Sequence, residues 1–373
     1  VYKRQNLYNI SIKMKWDGKI AKLVLEDGTI FFGQSFGAKK SVAGEVVFNT
    51  GMVGYPENLT DPSYQGQILT LTYPLIGNYG IPNNAKENGL PKHFESDKIQ
   101  VTGLIISDYS FNYNHWQANI GLDEWLKKHK VPGIYGIDTR ALTKRLREKG
   151  TMLGKIIYKD DVKFLDPNKL NLVKRVSTKK KKVYGDGKIT IMLVDTGVKY
   201  NIIRCFLKRG VKVIRVPWDY NFNGEKYDGL FIANGPGDPK MCQETINNIR
   251  KVLQKSKPIF GICLGNQLLA LASGGNTYKL KYGHRSQNQP CLINKTNKCY
   301  ITSQNHGFAV DSKSLPKEWD LWFVNANDKT CEGLKHKNKP FLSVQFHPEA
   351  SAGPVDTEFL FDDFINLVKK QKK

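Results

Sequence analysis

Arginine is scarce in a chain this basic. Only ten of its 57 basic residues are Arg, although the formal net charge is +23. Arg reads phosphates and guanine edges better than Lys does. No nucleic-acid-binding motif accompanies the charge. Lys, Asn and Ile are all abundant, which fits the coding bias of an AT-rich genome, so nucleic-acid binding rests on charge alone and is not expected. Long apolar runs are missing too. None approaches the ~20 residues that cross a bilayer, and no membrane association is expected. The six cysteines, at 205, 242, 263, 291, 299 and 331, include no C-x-x-C pair. That leaves no zinc or redox signature, no metal site is expected, and scattered cysteines in a large chain fit a reducing compartment. The first residues, V-Y-K-R-Q-N-L-Y-N-I, lack the apolar block and cleavage site of a secretory signal. They are basic and acid-free, as in an organellar transit segment, but rich in Lys and Asn rather than Arg and Ser. Val1 reads as an alternative start or a truncated end.

What is present suits two domains in 373 residues. Lys22–Gly33 is two β-rich runs around Asp27-Gly28, the pattern of a tight type I′ hairpin. Strand-like runs follow at 45–50, 67–73 and 101–107. Helical patterns cover 122–129 and 139–150, the second capped by Asp138 and stopped by Gly150. Residues 1–176 therefore read as a mixed α/β domain. Residues 177–188 contain four consecutive lysines and two glycines, the composition of an exposed basic linker. From 189 to 373 strands and helices alternate, which implies an open parallel sheet covered on both faces. Ligands of such sheets sit at the carboxyl ends of the strands. Three polar turns fall there, at 234–239, 263–267 and 347–349.

The turn G-I-C-L-G puts Cys263 between an apolar strand and a helix. It parallels the G-x-S-x-G elbow, whose small flanking residues allow a sharp turn that displays the nucleophile. The helix N-terminus offers positive potential and free N–H groups to a negative sulfur. The bland alternative is a buried structural thiol. A nucleophile needs a base, and S-V-Q-F-H-P-E-A supplies His347 and Glu349, separated by one proline. In that arrangement His347 takes and returns the proton while Glu349 orients it. Alone, His-Pro-Glu is a surface turn. A-N-G-P-G-D-P, at 233–239, lets backbone amides approach a ligand and, with the N–H of Leu264, forms an oxyanion hole. A phosphate loop is the other reading, but the Gly-Lys-Ser/Thr of a P-loop is absent. Q-N-H-G-F-A-V, at 304–310, suits polar recognition of a small substrate or a plain loop.

Taken together, G-I-C-L-G-N-Q, N-G-P-G-D-P and H-P-E resemble the class I, triad-type glutamine amidotransferases. G-E-V-V-F-N-T-G-M-V-G-Y-P-E-N-L-T-D-P-S-Y and G-I-D-T-R-A-L-T resemble the opening domain of the carbamoyl-phosphate synthase small-subunit family. The resemblance spans nearly the whole chain. It implies a flavodoxin-like, mostly parallel amidotransferase domain after an N-terminal domain that contacts a large subunit. It also implies glutamine hydrolysis through a Cys263, His347, Glu349 triad and a glutamyl thioester. Ammonia would then reach a large synthetase subunit that makes carbamoyl phosphate for arginine and pyrimidine synthesis. L-Glutamine would be held by Ser41, Gly235, Gly237, Leu264, Gln267, Asn305, Gly307 and Phe308. No cofactor is implied for this chain; ATP and a divalent metal belong to the large subunit, its partner in a heterodimer or a higher assembly. Two departures stand out. Asn266 occupies a position that is His in the family, with an expected effect on packing or signalling between subunits. Gly283–Pro290 carries Ser-Gln where glycines are common, with an expected effect on a loop near the site. The alternatives are a non-catalytic stabilising subunit and the glutaminase of another amidotransferase. Composition favours a plastid-encoded protein of red-algal type in the chloroplast stroma, with a bacterial cytoplasm as the other setting.

Overall fold

The computed structural model describes residues 20–372. The expectations for Val1 and the basic N-terminal stretch lie outside the described residues. Contacts divide the chain into two compact units. Unit 1 holds residues up to 49, with 66–83 and 101–166; unit 2 holds 50–65, 84–100 and 167–373. The sequence reading divided the chain once, around 177–188. The contacts instead assign two early segments, 50–65 and 84–100, to the later unit.

Unit 1 is a closed barrel of seven strands. They are β1 (Ile20–Leu25), β2 (Ile30–Gly37), β3 (Val42–Asn49), β4 (Gln67–Leu71), β5 (Gly103–Ile105), β6 (Pro132–Tyr135) and β7 (Met152–Ile157). Their order around the barrel is β1-β7-β3-β4-β5-β6-β2. Leu23, Leu25, Val46, Ile68, Leu104, Ile134 and Ile156 are buried in it. The β1–β2 hairpin forms, but not with the tight turn that Asp27-Gly28 suggests. Gly28 has a positive φ of 83° and Asp27 does not. A type I′ turn needs both; here the Asp27 carboxylate accepts the Thr29 N–H at 3.0 Å and stabilises a longer connection. Among the described residues, two helices belong to this unit, α1 (Leu122–Lys128) and α2 (Thr139–Lys149). Asp138 caps α2 through the Ala141 N–H at 2.8 Å, as its side-chain chemistry dictates.

Unit 2 is built on a ten-stranded sheet. Its strands are β8 (Lys182–Tyr184), β9 (Ile189–Asp195), β10 (Val211–Pro217), β11 (Gly229–Ile232), β12 (Ile259–Ile262), β13 (Asn276–Ile293), β14 (Cys299–Asp311), β15 (Trp319–Asn325), β16 (Cys331–His336) and β17 (Phe341–Val344). The order is β8-β10-β9-β11-β12-β17-β16-β15-β13-β14. The five strands β10, β9, β11, β12 and β17 run parallel, and the rest extend the sheet antiparallel. The lysine run does more than link: Lys182–Tyr184 pairs with β10 at the sheet edge, because exposed side chains leave the backbone free to add a ladder.

Alternation along β9 explains why its sequence is apolar throughout. Ile191 and Leu193 enter one core, Met192 and Val194 the other. The first core is closed by α3 (Tyr200–Lys208) and α6 (Phe359–Lys372), the second by α4 (Gln243–Leu253) and α5 (Leu264–Ala272). Phe231 lies at the centre of the first core. Its ring centroid is 5.0 Å from Phe206, 5.7 Å from Phe260 and 6.4 Å from both Phe361 and Phe364. Phe231→Ala should cost about 3–5 kcal/mol in urea unfolding, the usual range for a large-to-small core change. A loss under about 1 kcal/mol, typical of surface changes, would show that the rings do not anchor this core.

Candidate functional site

The parallel strands deliver three turns to one end of the sheet in unit 2. The first follows β12, where Cys263 adopts φ 55° and ψ −104° as the residue opening α5. Positive φ is strained for a side chain with a Cβ and costs on the order of 1–3 kcal/mol. The flanking glycines leave no choice of turn. A Cβ on Gly265 would lie 2.1 Å from the Ile232 carbonyl oxygen, and one on Gly261 2.6 Å from that of Gly265. The Cys263 N–H donates to the Val344 carbonyl at 2.8 Å, tying the elbow to β17. Its thiol is buried and points to the Asn305 carbonyl, 3.7 Å away.

The second turn follows β17. The His347 N–H donates to the Ser303 carbonyl at 2.9 Å, and its Nδ1 lies 2.7 Å from Glu349 Oε1. Both side chains are buried, and the imidazole also interacts with the Cys263 sulfur. Burial by itself would lower the imidazole pKa, but the Glu349 carboxylate and the Cys263 sulfur outweigh it and hold it up at about 10. Burial would raise Glu349, yet His347 and Lys199 keep it below its ordinary value. The Lys199 Nζ lies 3.3 Å from Glu349 Oε1 and also donates to the Ala350 carbonyl. Cys263, His347 and Glu349, expected together, are thus brought together.

The third turn, after β11, carries Gly235 and Gly237. A Cβ on Gly235 would lie 2.0 Å from the Thr196 carbonyl oxygen, and Gly237 has φ 83°. Leu264 is buried at the first position of α5. Gln267 donates to the Phe308 carbonyl at 2.8 Å and to Gln345 Oε1 at 3.1 Å. Asn305, Gly307 and Phe308 lie on β14, facing Cys263 and Gln267 through those two carbonyls. Ser41 is also among the residues expected to hold glutamine. It belongs to unit 1, where its Oγ accepts the Tyr158 N–H at 3.1 Å. A serine of unit 2 does reach this network. Ser63 Oγ accepts from Asn234 Nδ2 at 3.0 Å, and Asn234 Oδ1 accepts the Lys199 N–H at 3.0 Å. Beside it, Asp61 accepts from Asn305 Nδ2 at 2.8 Å.

Sequence reasoning passed over Lys199, Asp61 and Ser63, and took Asn234 only as the first residue of a polar turn. The signals were available. Lys199 follows a strand end in D-T-G-V-K, and D-P-S is a capped turn in which Asp61 accepts the Ser63 N–H at 2.9 Å. Asn266 is a satisfied buried amide: it donates to Gln345 at 3.2 Å and accepts from Ser343 at 2.8 Å. The segment 283–290 is not a loop but part of β13, paired with β14. Its His284 forms, with His306 and Glu332, a group whose ligand-type atoms all lie within 4.8 Å of one another. Several of those atoms already have hydrogen-bond partners. His306 bridges Gln304 Oε1 and the Phe308 carbonyl, at 2.9 and 2.8 Å. Burial alone would lower His284, but Asp328 and Glu332 raise it to about 9.

Comparison with known proteins adds the following. The family described as glutamine amidotransferase class-I matches residues 192–367, and that described as carbamoyl-phosphate synthase small chain, CPSase domain, matches residues 23–156. Multifunctional protein CAD of Squalus acanthias is 55% identical over 361 residues, covering 95% of this chain and 16% of the relative. Multifunctional protein ura1 of Schizosaccharomyces pombe is 50% identical over 400 residues, covering 97% and 18%. Human mitochondrial carbamoyl-phosphate synthase [ammonia] is 52% identical over 378 residues, covering 100% and 25%. The chain spans a quarter or less of the length of these relatives.

The charged imidazole has a measurable consequence. The folded chain holds the His347 proton up to about pH 10, against 6.5 as the ordinary value. Its stabilising contribution is complete below the ordinary value and is lost as pH rises through the folded one. Between pH 7 and 10 the melting temperature should fall more steeply for the native chain than for His347→Gln. Equal slopes would rule out an imidazolium at this position.

Proposed function

Residues 23–156 belong to the carbamoyl-phosphate synthase small-chain family and residues 192–367 to the class-I glutamine amidotransferases; on that premise we propose that this chain hydrolyses glutamine and supplies the ammonia to a synthetase. The observation that carries the reading is one arrangement. A buried cysteine held at φ 55° on a strand-to-helix elbow interacts with a buried imidazole whose Nδ1 is 2.7 Å from a carboxylate.

Each group then has a task. The Cys263 sulfur, having given its proton to His347, attacks the carboxamide carbon of glutamine. The tetrahedral oxyanion is held by N–H groups of Leu264 and of the Gly235–Gly237 turn. His347 returns the proton to the leaving nitrogen, ammonia departs, and a glutamyl thioester remains. Water, deprotonated by His347, attacks the thioester, and glutamate leaves with the thiol restored. Glu349 orients the imidazole and balances its charge, and Lys199 keeps Glu349 ionised. Gln267, Asn305, Gly307 and Phe308 hold the substrate. Burial of the triad keeps bulk water from the intermediate and keeps ammonia unprotonated. The partner is the large, ATP-using synthetase; arginine and pyrimidine synthesis are the pathways in which the product is used.

A second reading has one observation behind it. The human relative's name carries ammonia rather than glutamine. In that reading the chain is a non-catalytic arm of an ammonia-using synthetase.

Alkylation with limiting thiol reagent, mapped over all six cysteines, separates the two. Cys263 should react fastest and glutamine should protect it alone. With the synthetase present, Cys263→Ala should abolish glutamine-dependent carbamoyl phosphate formation and leave ammonia-dependent formation intact. Equal activity with and without the thiol, whichever nitrogen donor is used, would favour the non-catalytic arm.

A further inference from the structure

The network around His284 is not used by the triad, yet it ends at the site. We infer that His284, Asp328 and Glu332 are positioning residues that hold the Gln304–Phe308 segment of β14 in the conformation that binds glutamine. The inference rests on the proposed glutaminase reading and adds to it the groups that fix the substrate strand.

The chain of contacts is continuous. His284 Nε2 lies 2.8 Å from Asp328 Oδ2, and its Nδ1 lies 3.4 Å from Glu332 Oε1. Glu332 Oε2 accepts from Gln304 Nε2 at 2.8 Å. Gln304 Oε1 meets His306 Nε2 at 2.9 Å, and His306 Nδ1 meets the Phe308 carbonyl at 2.8 Å. That carbonyl also accepts from Gln267. Between the two ends of the chain sits Asn305, whose carbonyl faces the Cys263 thiol. The backbone of Glu332 reaches the other arm of the site, since its carbonyl accepts the Gln345 N–H at 2.9 Å, two residues before His347.

Three features make this more than packing. Glu332 has no exposed side chain, and a buried carboxylate is costly unless paired and hydrogen-bonded. Its pairing with His284 meets that cost with groups on separate strands, β13 and β16. A buried polar network of this kind, joined here by hydrogen bonds and by the His284–Glu332 ion pair, fixes one geometry where apolar side chains of similar size permit several. The strand it braces also has irregular pairing with β13, with register shifts between Lys279 and His284 and between Ser286 and Gln289. Where a ladder is interrupted, side-chain contacts must supply the register. Of the buried network, Asp328 alone reaches solvent to a large extent, with 43% side-chain exposure, so it is the weakest brace.

The test compares Glu332→Gln, His284→Gln and Asp328→Asn in the full chain, with glutamine KM and kcat measured separately. A loosened substrate strand weakens binding without removing a reacting group. KM should therefore rise about tenfold for the first two variants and about threefold for Asp328→Asn, with kcat within about twofold. The Glu332→Gln, His284→Gln double variant should be no worse than the poorer single one, because both break the same connection. A merely structural role would lower the melting temperature and the active fraction, so kcat would drop at unchanged KM; that pattern overturns the inference. So does KM within about twofold of native in folded variants. Calorimetric glutamine binding to the same variants on a Cys263→Ala background gives a readout independent of turnover. If the native chain binds glutamine without hydrolysing it, the glutaminase reading fails and the brace is judged on the binding ratio. If Cys263→Ala and the native chain both fail to bind glutamine, both proposals fall.

Discussion

Lys199, Glu349 and His347 form a row of charges with almost no water around it. The ammonium lies 3.3 Å from the carboxylate and the imidazole 2.7 Å from the same oxygen, Glu349 Oε1. Each member would be expensive to bury alone. Together they hold one another in the charged state, and burial then strengthens every interaction among them. Much of unit 2 serves that row. β9 ends where Lys199 must stand, β17 ends where His347 must stand, and the Lys199 N–H is anchored by Asn234 from the turn after β11. The imidazolium they stabilise is the species that acyl transfer by a Cys–His pair needs.

The elbow at Cys263 is the complementary constraint. Strain in the backbone persists only where the surroundings over-determine it. Here they do: the Cys263 N–H is fixed by Val344, and Gly265 is pressed against the Ile232 carbonyl. Neighbouring parallel strands thus supply both the Cys263 elbow and the groups that confine it. The antiparallel extension has a different part. β13, β14 and β16 bring the Asn305 and Phe308 carbonyls to the site and keep the buried pair of His284 and Glu332 behind them. Asn266 ties the elbow helix to β17 through Ser343 and Gln345. It shares the acceptor Gln345 Oε1 with Gln267, so it packs as a satisfied buried amide beside that side chain. The apolar core around Phe231 underlies all three turns.

The sequence by itself determined whatever depends on a few adjacent residues. G-I-C-L-G specifies an elbow because only glycine fits at 261 and 265, and H-P-E places imidazole and carboxylate two residues apart, close enough to pair. The βαβ rhythm from 189 and the capped helix at 139 were equally local, and appear with bounds close to those expected. What only the tertiary structure decided involves partners far apart in the chain. Lys199 meets Glu349 across 150 residues, Asn305 meets Asp61 across 244, and Asn234 meets Ser63 across 171. Nothing in a short window encodes such a meeting, since it follows from strand order and from which faces are buried. For the same reason the strands of unit 1 were legible one by one, but their closure into a barrel was not. The placement of Ser41 in unit 1 and of Ser63 in unit 2 is a matter of tertiary contact. Both are serines in polar turns, and only the folded chain separates one hydrogen-bonded to Tyr158 from one beside Asn234.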